Sequence, residues 1–393
     1  MNSKIRKWLL DENIIFLNHG SFGACPKSVL GYQRKIQKLL EKEPVFFMTE
    51  LLEKYLDDSR KRLAGLINAD EEGLVFVTNA TTAVNTVLNS LELRRGDEIV
   101  ITNHEYNACK NAVNYYAKKR NLKVRTAVVP FPVESPEEVL IAIEKAVTDK
   151  TRFILIDHIT SPTALIFPVE EIIERYRKSG IDIMVDGAHS AGMIPINLKK
   201  LDADYYTSNC HKWLFAPKGA AFLYVRKDKR KHLYPLVISH GYNSERLERE
   251  PLHRMFDWTG TQDFSPYICV KKAIEFTEKI KGDIKNLMNE NHQKVLDGRD
   301  IILNRLKVTK PAPDYMLGAM ASVILPDEFL KSGQVEKNGK TKLQNILFRR
   351  YRIEVPVIWF YKRQLLLRIS AQVYNSLSDY EFLADALRKI SSN

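Results

Sequence analysis

The stretch from Asp182 to Gly219 decides how this chain is read. It runs DIMVDGAHSAG from Asp182 to Gly192 and ADYYTSNCHKWLFAPKG from Ala203 to Gly219. In each part an apolar, β-prone run gives way to small and polar residues. Asp186 sits just past the first run and Lys212 past the second, with His189 and His211 beside them. Open α/β sheets bind ligands outside the carboxyl ends of their strands. An acid and a lysine brought to that edge are what a pyridoxal phosphate site requires. The lysine holds the aldehyde as a Schiff base, and the acid pairs with the protonated ring nitrogen, keeping the ring an electron sink. The plainer readings are a solvated lysine and a helix-capping aspartate. A buried unpaired carboxylate is costly, which favours use at Asp186.

Around this stretch β and α patterns alternate. Apolar, β-branched runs occur at 73–78, 98–102, 123–130, 151–159, 182–185, 203–207 and 220–225. Helical periodicity separates several of them, at 82–92, 107–120, 136–147 and 169–179, the last stopping at Gly180. Seven strands with intervening helices predict an α/β fold with a mostly parallel sheet covered on both faces. Before it, residues 29–67 carry two helical stripes separated by Pro44. After it, helices at 266–281 and 284–306 precede strands at 321–325, 355–360 and 365–370. Residues 331–342 read as a polar loop. A closing helix is expected from Ser378 to about Ile390, with Ser378 as N-cap and Glu381 completing a capping box. The expected division is a segment 1–20 that packs with the small domain, a large cofactor domain 21–265, and a smaller α+β domain 266–393.

Composition narrows the class. The 393 residues are 45% hydrophobic and 27% charged, as in ordinary globular proteins. At about 100–200 residues per domain, two or three domains are expected. The net charge is +12, but basic residues are dispersed, with the densest runs at 227–232 and 349–352. A solvated basic surface is expected rather than a nucleic-acid or membrane partner. The four cysteines, Cys25, Cys109, Cys210 and Cys269, show no Cys-x-x-Cys spacing, so neither a metal site nor a disulfide framework is expected. Reduced thiols fit a cytoplasmic protein. Lys4, Arg6, Lys7, Asp11 and Glu12 surround a very short apolar patch, unlike a signal peptide. No GxGxxG follows the first strand and no GxxxxGK[ST] occurs, which leaves dinucleotide and P-loop sites without a fingerprint.

Eight motifs carry a resemblance. They are FLNHGSFGACP (16–26), NATTAV (79–84), EYNA (105–108), HITSPTA (158–164), VDGAHSAG (185–192), NCHKW (209–213), WTGTQD (258–263) and LRIS (367–370). Together they resemble the class-V branch of fold-type-I pyridoxal phosphate enzymes, in the group of isopenicillin N epimerase and the cysteine and cysteine-sulfoxide C–S lyases. The resemblance implies Lys212 as the cofactor-binding and proton-shuttling amine and Asp186 as partner of the ring nitrogen. It implies that Ala80, Thr81 and Thr82, at a helix N-terminus, bind the phosphate together with Asn209 and His211. Thr261 would reach the phosphate from a neighbouring subunit, which makes a homodimer with shared sites. Asn209 and Cys210 depart from the small residues usual in class V. Tyr106 falls where an aromatic ring covers the cofactor, with His104 the alternative two residues earlier and a core tyrosine the plainer reading. Ser161 and His189 would meet the ring's phenolic oxygen. Arg368 would bind the amino-acid carboxylate, where a structural ion pair is the competitor. His19 would lie at the substrate entrance, in a segment whose Gly20 and Gly23 read as a tight loop.

The implied activity acts at the α-carbon of an amino acid, as an epimerase or a cysteine-type C–S lyase, with transamination behind them. A non-catalytic binding protein on the same fold is the competing class; it predicts loss of Lys212 or Asp186, and both are present. No cysteine follows Cys269, which disfavours desulfurases that carry a persulfide on a small-domain cysteine. Epimerisation needs a second proton donor opposite Lys212, for which His19, His104 and Tyr106 are candidates.

Overall fold

Apolar runs with buried residues on both faces form the strands that organise the molecule. The computed structural model describes residues 5–391, so Lys4 of the N-terminal reading lies outside the described residues. The strands are β1 (Ile15–Phe16), β2 (Leu74–Val77), β3 (Glu98–Thr102), β4 (Lys123–Ala127), β5 (Thr151–Asp157) and β6 (Asp182–Asp186). They continue with β7 (Tyr205–Asn209), β8 (Ala221–Val225), β9 (Met320–Ile324), β10 (Ile353–Glu354), β11 (Val357–Phe360) and β12 (Gln364–Ser370). A seven-stranded sheet has the order β2-β8-β7-β6-β5-β3-β4. All its neighbours are parallel except β8, which runs antiparallel to both β2 and β7. The carboxyl ends of β2, β3, β5, β6 and β7 therefore share one edge. Helices cover both faces, and separate apolar clusters fill the two sides. Only the edge strand β4 is largely exposed.

A three-stranded antiparallel sheet, β11-β12-β9, lies in the last quarter of the chain. The start of the chain is stitched to it: β1 pairs with β10, and the amide of Ser370 donates to the carbonyl of Leu17 at 3.0 Å. These bonds bring residues 17–23 beside β12.

Three local expectations are corrected. The strand expected at 203–207 starts at Tyr205, because Asp204 turns its carboxylate to the amide of Ile183 (2.8 Å) and to Arg226 (2.7 Å). The strand thus extends to Asn209. The last helix starts at Leu377, so Ser378 lies inside it and does not cap it; Asp379 accepts from the amide of Ser376 at 3.0 Å instead. A helix at Lys342–Tyr351 was not expected; Thr341 caps it by accepting from the amide of Gln344 at 3.2 Å. Its buried face is short and includes the polar Asn345, which hid it.

One buried charge network joins the long helix Leu52–Ile67 to the large sheet. Arg60 donates to the carbonyl of Leu74 (3.0 Å) and to Asp257 (2.5 Å), and also pairs with Asp57. Arg249 bridges Asp57 and Asp257 from the other side.

Candidate active site

The shared carboxyl edge opens into a cavity of about 650 Å³. Its lining includes Ala80, Thr81, Thr82, Tyr106, Ser161, Asp186, His189, Asn209, His211, Lys212 and Arg368. Eleven of the thirteen residues singled out from sequence thus surround one hollow.

Lys212 lies in the turn after β7, and its amine is 3.3 Å from Nε2 of His189. Burial, with repulsion from Arg368, lowers its pKa to about 8, against a smaller opposing pull from Asp186. A neutral, nucleophilic amine is therefore accessible near neutral pH. The main chain around it is clamped. Nε2–H of His19 donates to the carbonyl of Lys212 at 3.1 Å, and Lys218 donates to the carbonyl of Gly23 at 2.9 Å. Gly23 has φ +66°, and a Cβ there would lie 2.2 Å from the carbonyl oxygen of His211. Only glycine permits this approach.

His19 does not line the cavity, which corrects its expected place at the entrance. It is fully buried, and Nδ1 accepts from Tyr374 at 2.6 Å while Nε2 serves Lys212. Burial lowers its pKa to about 3. His104 is also turned into the core, where it meets Thr163 at 2.7 Å and the carbonyl of Val129 at 3.2 Å. Tyr106, 47% exposed, lines the cavity, as does Phe22. Thr261 is exposed and stands outside the lining of its own chain's cavity.

Asp186 ends β6 and is buried. Oδ1 accepts from the amide of Ala188 at 2.9 Å, and Oδ2 from the thiol of Cys109 at 3.3 Å. Burial raises its pKa despite these donors. At the other end, the helix Ala80–Ser90 points its N-terminus at the cavity. Asn79 caps the amide of Thr82 (2.8 Å), and Asn209 Oδ1 takes the amide of Ala80 (2.9 Å). The unusual Asn209 thus ties the helix start to β7. His211 donates from Nδ1 to the carbonyl of Ala220 at 2.9 Å. Burial, with repulsion from Lys212, lowers its pKa to about 4.

Arg368 projects from β12 and is buried. It donates to the carbonyl (2.6 Å) and hydroxyl (3.1 Å) of Ser161 and to the hydroxyl of Ser21 (3.0 Å). Burial lowers its pKa to about 10. Among the described residues no carboxylate pairs with it, so the competing ion pair is not found. Its Nε and Nδ1 of His189 are buried without hydrogen-bond partners. Unmet donors of this kind mark a place for a ligand. An amine, a carboxyl, a helix N-terminus and unpaired donors around one hollow fit pyridoxal phosphate with a carboxylate-bearing substrate.

Sequence reasoning missed Ser21, Asn79 and above all Asp157, which also lines the cavity. Asp157 ends the apolar run ILID as Asp186 ends IMVD, so the same signal was present in both.

The family described as Aminotransferase class-V matches residues 43–318. A putative L-cysteine desulfhydrase of Oryza sativa subsp. japonica is 32% identical over 97% of this chain and 84% of its own length. An isopenicillin N epimerase of Amycolatopsis lactamdurans is 32% identical over 97% of this chain and 96% of its own. A solved cystine C–S lyase in complex with cysteine persulfide has a TM-score of 0.80 at 19% identity, covering 96% of this chain and 97% of its own. That likeness shows the fold.

Proposed function

This chain belongs to the class-V aminotransferase family of fold-type-I, pyridoxal phosphate-dependent enzymes, and on that premise we propose that it is a C–S lyase acting on cysteine or a close analogue. The observation that carries the choice of elimination is the cavity's single buried amine. Of the residues considered as a second proton donor for epimerisation, His19 and His104 have both ring nitrogens engaged in the core, and only the half-exposed Tyr106 is at the cavity. Elimination needs only one base.

Bound pyridoxal phosphate supplies a sink for the electron pair left at the α-carbon. The chain's residues do the rest. Arg368 binds the α-carboxylate through a planar guanidinium already held by Ser21 and Ser161. The amine of Lys212 would hold the cofactor's aldehyde and would also take the α-proton, for which a pKa near neutral suits it. The β-sulfur then leaves as hydrosulfide. With one water consumed, cysteine gives pyruvate, ammonia and hydrogen sulfide. All four cysteines are buried and free. Burial raises the thiol pKa of Cys25 to about 12 and pushes those of Cys109, Cys210 and Cys269 up as well. Direct release of sulfide accords with that better than transfer to a cysteine of the enzyme.

The same reading assigns Thr261 to the phosphate site of a partner copy, so that the working unit is a homodimer. Supporting it, Leu236, Val237, Ile238, Tyr242 and Leu247 are exposed between β8 and Thr261. It also divides the chain near residue 265 into a cofactor domain and a smaller domain. No helix among the described residues is long and apolar enough to cross a membrane; together with four free thiols this supports a reducing compartment such as the cytoplasm.

The test is incubation with L-cysteine in deuterated water. Pyruvate and sulfide in equal amounts are expected. Deuterium at the α-carbon with racemisation and no pyruvate would replace this reading with an epimerase. Borohydride should fix the cofactor to the peptide containing Lys212, and to no peptide of Lys212→Ala.

A further inference from the structure

Two buried carboxyls line the cavity floor, Asp157 and Asp186, and a third, Glu105, lies behind them. Asp157 and Asp186 are register partners at the ends of the parallel strands β5 and β6, so their side chains leave the same face of the sheet. Glu105 comes from the turn after β3. All three are buried. Asp186 accepts from an amide and a thiol, but Oδ2 of Asp157 and both oxygens of Glu105 have no hydrogen-bond partner. Acceptor atoms of Glu105, Cys109 and Asp186 lie within 4.8 Å of one another.

The cations facing this group are few. Lys212 approaches Asp186 from the turn after β7, and Lys110 faces Glu105 and Asp157 from the helix Asn107–Arg120, which also supplies Cys109. Tyr206 of β7 faces Asp186, and its hydroxyl bonds to Ser190 (2.7 Å) and to His158 (2.8 Å), away from the carboxyls. Three carboxylates cannot all stay ionised so close together in a dry site. The one with donors keeps the charge, and that is Asp186. Burial, joined by repulsion from Asp186, pushes Asp157 well above the carboxylate range; burial and repulsion from Asp157 do the same to Glu105.

We propose that Glu105 and Asp157 are un-ionised in the resting protein, and that Asp157 is coupled to Asp186, the two forming a carboxyl pair with one charge for the cofactor's ring nitrogen. Asp157 is then a tuning residue for the ring nitrogen, acting through Asp186. The bound site holds two protons over two carboxyls and one ring nitrogen, and its net charge is zero. A lone aspartate also balances one charge, but the pair adds a proton that can be redistributed as the ring's electron demand changes. The inference rests on the reading of the cavity as a pyridoxal phosphate site.

The experiment begins on the apoprotein at neutral pH, where that reading is not needed. Infrared difference spectra should show that Asp157→Asn and Glu105→Gln each lose intensity from un-ionised carboxylic acid. No loss in either variant would overturn the proposal. The isosteric changes remove no volume; if Asp157→Asn fails to fold, Asp157→Glu serves, with its acid band displaced rather than lost. The cofactor-loaded proteins are then titrated by absorbance. Asp157→Asn should move the pH midpoint of the bound cofactor's spectral change by about one unit or more, because coupled acids titrate as a pair. Asp157→Glu should restore it. An unmoved midpoint would leave Asp157 a packing residue and overturn the inference while the site reading stands. Failure of the wild-type apoprotein to take up pyridoxal phosphate would instead overturn the site reading.

Discussion

Two groups of buried charge lie at opposite edges of the seven-stranded sheet, and they are built on opposite rules. At the start of β2, Arg60, Arg249, Asp57 and Asp257 interlock, each side chain with more than one partner. At the ends of β5 and β6, Glu105, Asp157 and Asp186 crowd together with few donors, and Arg368 and His189 keep unmet polar atoms nearby. The first group pairs each carboxylate with two arginines and holds the fold, with Nε of Arg249 its one unmet atom. The second is open and is reserved for something the chain does not itself supply. Strain of this second kind is tolerated where a ligand relieves it.

The largest effect that would test this division is at Lys212. Lys212→Ala should lower the rate of pyruvate formation by about 10³-fold or more, since it removes both covalent attachment and the proton carrier. Its unfolding midpoint should not fall, because a desolvated amine is no support to the fold. At the paired edge the signs reverse. Asp257→Ala leaves buried Arg60 with the half-exposed Asp57 as its remaining carboxylate and should cost about 3 kcal/mol in denaturant unfolding, the low end for a broken buried pair. Glu105→Gln should instead stabilise the apoprotein. A carboxyl whose folded pKa is raised contributes most below its unfolded value of 4.5, and loses that contribution as pH rises through the folded value. The gain from Glu105→Gln should therefore grow from pH 5 upward. A constant difference between the two proteins would remove Glu105 from the open group.

Arg368→Gln comes next. Hydrogen bonds to charged groups are worth about 1.5–3 kcal/mol, so KM for the amino acid should rise about 10- to 150-fold, with a smaller change in kcat. A kcat loss at constant KM would place the guanidinium elsewhere in the reaction.

The pH dependence of cofactor capture sharpens the same point. With its pKa near 8, against 10.5 for the free side chain, the Lys212 amine is about a tenth neutral at pH 7 and about nine tenths at pH 9. The rate at which apoprotein turns yellow with added pyridoxal phosphate should rise through this range and level off near pH 9. A solvated lysine would still be accelerating at pH 10.

Much of this is legible in the sequence alone. Strand ends can be read from where apolar runs stop, and both Asp186 and Lys212 stand at such stops. Most strands of the large sheet were readable because burial on both faces makes them nearly continuous apolar runs; the exposed edge strand β4 is the exception. Asp157 was equally readable and was passed over, since its sequence neighbour His158 belongs to a familiar motif. Glu105 could not be read, because its meaning comes from β5 and β6, some 50 and 80 residues away. The helix Lys342–Tyr351 was missed because its buried face is short and includes the polar Asn345. His19 was misplaced for a related reason. A histidine beside two glycines looks the same in sequence whether it faces a ligand or braces the backbone behind one.

The bracing role of His19 predicts the smallest effect. Its ring joins Tyr374 to the carbonyl of Lys212 and lies 4.9 Å from the ring of Trp213. Replacing it by phenylalanine keeps the aromatic packing and removes two neutral hydrogen bonds, each worth about 1 kcal/mol. Part of that loss is general stability. The part that matters is the freedom given to the Lys212 turn, which should lower kcat about five-fold and leave KM for the amino acid unchanged. The pH profile should also keep its shape, since burial holds the His19 ring neutral, with a pKa near 3, across the working range. A residue at the substrate entrance would behave otherwise, with KM rising and kcat preserved. His19→Phe therefore separates a brace from a contact, and a KM-dominated loss would return His19 to the open edge.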